Sequence, residues 1–195
     1  MIIDPIYFHL TRLQYVKQKQ NIFRVRLTHY KGYPIQLKDG TCINKNDLLI
    51  KIHFHNVKLL RELYKAKDEF QKAVLLYKMV KDSLPELARY IQNHSKSKEI
   101  KGIIGITSIK IGSNRLGFEI YTIKNRFYRK LKWLAFYPIY FLSSGINHNK
   151  KKHADPLYFF MSKDYLIQRY LPLVAVKPED IKSLNLLSFK MEGHR

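Results

Sequence analysis

One cysteine, Cys42, stands alone in 195 residues, so no disulfide can close within the chain, as expected in a reducing compartment. Acids are also scarce: 15 Asp and Glu face 36 Lys and Arg, a formal charge of +21. No stretch reaches the ~18–20 apolar residues that a membrane span needs. The N-terminus, MIIDPIYFHLTRLQYV, lacks the basic n-region, unbroken apolar core and small-residue cleavage site of a secretory signal. The phosphate-binding glycine loops are missing, since GIIGIT and GSNRLG fit neither GxxxxGK[ST] nor GxGxxG. Neither GxSxG nor HExxH occurs, and nothing marks Ser143 or Ser144 as a nucleophile. Cys42 lies in the turn-rich KDGTCINKND, with nothing beside it to support a catalytic thiol. These gaps remove the common nucleotide-binding, serine-hydrolase and zinc-protease signatures.

What the chain does have is enough apolar material for a core. Hydrophobic residues make up 46% and charged residues 26%, a globular balance at a length that suits one domain. The excess of cations repels itself on folding. An anionic partner would relieve it: anionic lipid head groups, a polyanionic glycan or nucleic acid. The competing explanation is solubility in a lysine-rich proteome.

Periodicity sets the elements. Ile3, Ile6, Tyr7, Leu10 and Leu13 repeat with a helical spacing, and Asp4-Pro5 suits a helix start. NIFRVRLTHY alternates, with Phe23, Val25 and Leu27 on one face and Arg24, Arg26 and Thr28 on the other. Gly32, Pro34 and Asp39-Gly40 predict two turns around a short strand. DLLIKIHFHN is a second alternating strand: Leu48, Ile50, Ile52 and Phe54 oppose Leu49, Lys51, His53 and His55. Asn56 then suits a helix N-cap.

From Leu63 to Ile91 apolar residues recur three and four apart, which draws one stripe along a core-packing helix. The expectation is a helix over about 57–82, a kink or restart at Ser83-Leu84-Pro85-Glu86, and a continuation to about 92. IKGIIGITSI is short, apolar and β-branched, as a strand buried on both faces should be. LGFEIYTI is a further strand, with Glu119 and Tyr121 opposite Leu116, Phe118 and Ile120. LYFFMSKDYLIQRYL reads as a strand entering a helix at Ser162. The order predicts an α+β fold: a single domain over 1–172, with a largely antiparallel sheet backed by a long amphipathic helix and flanked by others. Residues 173–195 read as a tail with a short helix after Pro178.

Three groupings carry chemistry. His53 and His55, two apart on a strand, share a face and could offer two nitrogens to a metal. Glu119 would be a third ligand if its strand were adjacent, while His148, His153 and Asp155 lie on a loop. The pair alone is unspecific, and a strand-end histidine also satisfies backbone groups. The same three residues, His53, His55 and Glu119, are the candidates for general acid–base catalysis. Arg24, Arg26 and Lys51 fall on the same non-core faces and are the candidates for binding a phosphate or carboxylate, against the alternative of an ordinary solvated sheet face.

The third grouping is RFYRKLKWLAFYPIYFL. Arg126, Arg129, Lys130 and Lys132 precede Trp133 and an aromatic run broken by Pro138. Cations beside Trp and Tyr suit a lipid–water interface, and a buried helix with a basic entrance is the alternative. Between Lys96 and Lys152 there are 13 Lys and Arg against two acids, so the charge concentrates around this element. Stacking of bases on the aromatics would suit nucleic acid, yet no RNP, KH or helix-turn-helix signature occurs.

DPIYFHLTRLQYV, FRVRLTHYKG, LKDGTCINKNDLLIKIHFHNVKLLREL, EIKGIIGITSI, LGFEIYTI and LYFFMSKD together resemble the YkoP-like family of small Firmicutes proteins, over roughly residues 4 to 170. The run from Asp39 to Asn56 is the most specific. That domain is also found beside polysaccharide-deacetylase-like domains, so the resemblance implies an envelope or glycan context. It brings no catalytic residues. The chain departs from some relatives in lacking a longer hydrophobic leader. The resulting expectation is a basic accessory protein, cytoplasmic and peripheral on the inner face of the cell membrane, that binds an anionic ligand. An enzyme acting on a glycan or lipid-linked substrate, and a nucleic-acid-binding protein, are the alternatives. Cofactor, metal dependence and oligomeric state stay open.

Overall fold

The computed structural model describes residues 14–16, 21–107, 112–132 and 155–171. Its centre is a six-stranded mixed sheet of strands β1 (Gln14–Tyr15), β2 (Phe23–His29), β5 (Leu48–Phe54), β6 (Ile100–Thr107), β7 (Glu119–Thr122) and β8 (Leu157–Ser162), in the spatial order β1-β2-β5-β6-β8-β7. Every neighbouring pair is antiparallel except β5 and β6, which run parallel. A parallel pair needs a long crossover, and two helices supply it: α1 (Asn56–Leu63) and α2 (Glu69–Gln92). A two-stranded flap, β3 (Ile35–Gln36) and β4 (Cys42–Ile43), is inserted between β2 and β5. A helix over 126–132, here α3, follows β7, and α4 (Lys163–Tyr170) follows β8. The chain is α+β, as the order of elements predicts.

Alternation along each strand divides the core in two. On one face Phe23, Val25, Leu48, Ile50, Ile103, Phe159 and Met161 pack with Leu84, Leu87, Ala88 and Ile91 of α2. On the other face Leu49, Ile104 and Phe160 pack with Tyr30, Leu37 and Ile43 of the flap. The flap covers only part of this second face.

Several boundaries differ from the sequence reading. The helical pattern of 2–16 ends in a strand, because Gln14 and Tyr15 pair with Val25 and Arg24 at the sheet edge; residues 2–13 lie outside the described set. The long helix is broken at 64–68, not at Ser83. Asp68 caps the second piece by accepting the Gln71 N–H at 2.7 Å. Pro85 sits inside α2 without ending it. The carbonyl it leaves unpaired belongs to Lys81, on an exposed turn where water can serve it. Ser83 is not a helix cap. It is buried, and its hydroxyl accepts the Ile22 N–H at 3.2 Å while its carbonyl takes the Asn21 side-chain N–H at 2.9 Å. Helix α2 is thereby tied to the start of β2.

The cap of α1 is His55, not Asn56. The His55 N–H donates to the Ile22 carbonyl at 2.8 Å, and the ring Nδ1 accepts the Lys58 N–H at 3.4 Å. The chain thus leaves the sheet one residue earlier than the propensity of Asn56 suggests. Ser162 does cap α4, accepting the Tyr165 N–H at 3.0 Å, with Asp164 in the first turn. The expected helix after Pro178 lies outside the described residues.

Candidate functional site

The flap is latched to the far side of the sheet by two carboxylates. Asp39 accepts the buried Ser162 hydroxyl and the Thr41 N–H. Glu119 accepts the Lys38 N–H at 2.7 Å and the Tyr121 hydroxyl at 3.2 Å. Burial pushes the Asp39 carboxyl up, but the hydrogen bonds from Ser162 and Thr41 outweigh it and hold it below the ordinary range. A depressed acid stabilises the fold above its ordinary pKa and loses that contribution as pH falls. Asp39→Ala is therefore expected to cost about 1 kcal/mol at neutral pH, and the difference from wild type in urea unfolding should shrink below about pH 4.

Beyond the flap, the second sheet face changes from apolar to cationic. In the β2–β5 ladder Arg24 is opposite His53, Arg26 is opposite Lys51, and Thr28 is opposite Leu49. Alternation puts all of them on the face away from α1 and α2. Helix α3 adds a further cation: the charge of Lys132 acts on both Lys51 and His53, and that of Arg26 acts on all three. Lys132 Nζ lies 5.3 Å from the centre of the Tyr128 ring, and the charge of Tyr128 acts on Tyr158 of β8. Positions 128 and 132 are one helical turn apart and share a side. Phe127 and Leu131 are on the outer side, 78% and 50% exposed.

Among the described residues no carboxylate pairs with Arg26, Lys51 or Lys132. The ion pairs seen there, Lys65–Glu62, Arg89–Glu86 and Lys96–Glu99, lie elsewhere on the surface. The consequences are electrostatic. Burial, with Lys132 and Arg26 adding repulsion, pulls the Lys51 amine down to about 8. Burial and the surrounding cations Lys51, Arg26, Lys132 and Arg24 pull the His53 imidazole down to about 3. Lys132 is lowered by burial and by Arg26. His53 is thus neutral at physiological pH. Its Nε2 and the Nε of Arg26 are buried without a hydrogen-bond partner, an arrangement that is costly unless something else occupies them.

Arg24 is the most buried of the cations, at 3% exposure. Its Nη2 lies 3.2 Å from His55 Nε2 and 3.4 Å from His55 Nδ1. His55 is therefore occupied in capping α1 and meeting Arg24. Glu119 does not join the histidines. Strands β6 and β8 separate β7 from β5, roughly 14 Å at the usual strand spacing, and its carboxylate is committed to the flap. The adjacent strand on which Glu119 depended as a third ligand is not present, because β6 and β8 lie between β7 and β5. Among the described residues no group of three or more His, Cys, Asp or Glu could hold a metal. Cys42 is exposed on the flap. Trp133, His148 and His153 lie outside the described residues.

The structure therefore gathers Arg24, Arg26, Lys51 and His53, as strand alternation predicts, and adds Lys132, which the sequence reading assigns to a membrane surface with Arg126, Arg129 and Lys130. Tyr128 and Tyr158 are also additions. The signal for α3 is its four-residue spacing: Tyr128 and Lys132 on one side, Phe127 and Leu131 on the other. No helix among the described residues is long and apolar enough to cross a membrane.

Comparison with known proteins agrees with the resemblance. No solved structure matches the chain. An uncharacterised protein of Bacillus subtilis (strain 168), YkoP, is 45% identical over 173 residues, which cover 87% of this chain and 92% of that protein. The model of the YkoP domain matches residues 1–170. With nearly the whole described fold inside that match, the chain belongs to the YkoP family.

Proposed function

We propose that this protein binds an anionic ligand, one bearing a phosphate or a carboxylate, on the sheet face formed by β2 and β5 beneath α3. The observation that carries the reading is the convergence of Arg26, Lys51 and Lys132 around His53, where Arg26 Nε and His53 Nε2 are buried without a hydrogen-bond partner. Buried cations are expensive to fold unless a partner neutralises them. A cluster retained at that cost is explained by a ligand that arrives with the missing charge. The anion-binding residues are Arg24, Arg26 and Lys51, with Lys132 closing the site from the helix.

Lys51→Met separates this role from a structural one. The lowered amine opposes folding while it is protonated, so its penalty is full below about pH 8 and fades as pH rises toward the ordinary lysine value. Removing the charge should raise stability at pH 7 by about 1–3 kcal/mol. The same substitution should weaken binding of inorganic phosphate at least tenfold. Paired melting and equilibrium dialysis measure both. A variant that loses stability and keeps binding would show that Lys51 serves the fold only.

A second reading, an accessory role at an anionic lipid surface, rests on the outer side of α3. There Phe127 and Leu131 are exposed beside Arg126 and Lys130. Lipid surfaces reward both components, with each cation near the surface contributing ~1 kcal/mol. Phe127→Ala is expected to weaken binding to vesicles containing phosphatidylserine severalfold while leaving the melting temperature unchanged. Binding that is indifferent to Phe127, and that instead favours single-stranded RNA with a steep salt dependence, would point to nucleic acid. The acid–base reading of His53, His55 and Glu119 gains no support from their separation.

A further inference from the structure

The cation cluster distinguishes among anions by charge and by donor number. Arg24 and Arg26 come from β2, Lys51 from β5 and Lys132 from α3, while among the described residues His53, His55, Tyr128 and Tyr158 are neighbouring titratable groups. A monocarboxylate brings one negative charge and two acceptor oxygens. That leaves most of the repulsion standing and most of the donors unused. The two buried nitrogens without partners, Arg26 Nε and His53 Nε2, belong to diagonal positions on adjacent strands, about 7–8 Å apart along the ladder. The Lys51 ammonium, directly opposite Arg26, has three further donors of its own. A tetrahedral dianion with three free oxygens answers this set better than a planar monoanion does.

We infer that the ligand of this site carries a phosphoryl dianion, as a phosphomonoester does, and that the protein takes up a proton at Lys51 when it binds. The inference rests on the anion-binding reading above and adds the class of anion and the proton. The physical link is reciprocity. Cations and burial disfavour the charged amine of Lys51 in the free protein. An incoming dianion reverses the sign of the local field, so it favours the charged amine, and the amine in turn favours the dianion. Uptake is therefore largest between about pH 8, where free Lys51 titrates, and the ordinary lysine range. His53 follows the same logic in a more acid window.

The test is calorimetric titration of the full chain at pH 8.5, where inorganic phosphate is a dianion, in two buffers of different ionisation enthalpy, with acetate as the monocarboxylate. Phosphate should bind at least tenfold more tightly than acetate, and the buffer dependence should report uptake of roughly half a proton or more per site. Lys51→Arg keeps the charge but cannot release its proton, so it should retain phosphate binding and reduce the uptake, leaving only the share of Lys132, whose amine is also lowered. The wild-type affinity gives an independent reading: it should fall as pH rises from 8 to 10. Phosphate binding with no proton uptake and no such fall, or acetate binding as tightly as phosphate, would overturn this inference while leaving the anion-binding site in place. Failure of both anions to bind would remove that site and this inference together.

Discussion

Phe160→Ala is expected to destabilise the protein by about 3–5 kcal/mol, among the largest losses available from one side chain. Phe160 is fully buried in β8, the strand inserted between β6 and β7. It lies opposite Ile104 on one neighbour and Glu119 on the other. Three tyrosines surround its ring. Tyr30 meets it nearly edge-on at 5.5 Å between centroids, Tyr121 at 5.8 Å, and Tyr158 is tilted at 5.6 Å. Edge-to-face pairs add to area burial, and the cavity left by alanine would strand all three rings. Leu37 and Ile43 of the flap reach the sheet through Phe160, Leu49 and Ile104, and Phe160 is the largest of these three. Phe160→Leu fills most of the volume and should cost much less. Urea unfolding measures both, and a loss below about 1 kcal/mol for the alanine variant would mean that the flap is not docked as described.

The two strands that form the site were legible because alternation alone decides a strand's faces. Arg24, Arg26, Lys51 and His53 sit where their parity places them, and the β2–β5 register then sets them side by side. Strand order was not legible. Nothing in LGFEIYTI or LYFFMSKD states that the second inserts between the first and β6, and that insertion moves Glu119 out of reach. The helix break shows a different limit. The apolar stripe runs through both helices, so periodicity cannot locate the gap, and two capping patterns compete. Ser83 with Glu86 resembles one, but Ser83 is drawn to Ile22 across the core. Asp68 with Gln71 is the one used. The shift of the α1 cap from Asn56 to His55 has the same origin. Asparagine is the better cap intrinsically, but the last paired strand residue, Phe54, fixes where the chain departs, and tertiary pairing outweighs propensity. Lys132 escaped because the basic run was read as a block of charge. A helix sorts such a block by angle, and residues a full turn apart share a side while those about half a turn apart face opposite ways.

The second large effect is acid instability centred on His53. Burial and four cations hold its imidazole at about 3 against an ordinary value of 6.5. The unfolded chain therefore takes up a proton below about pH 6.5 that the folded chain refuses. Stability is unaffected above that pH and falls as pH drops through the window from 6.5 to 3, at up to 1.36 kcal/mol per pH unit. By pH 4 the loss should be on the order of 3 kcal/mol. His53→Gln keeps a polar amide at the position and removes the titration. The difference in unfolding free energy between the two proteins should therefore change steadily from pH 7 to pH 4, the wild type losing ground as acid is added. The acid loss assigned to Asp39 begins only near pH 4, below most of this window, so the two contributions separate along the pH axis. A difference curve that stays level from pH 7 to pH 4 would mean that His53 is hydrated and free to protonate, and the buried cation cluster around it would have to be abandoned.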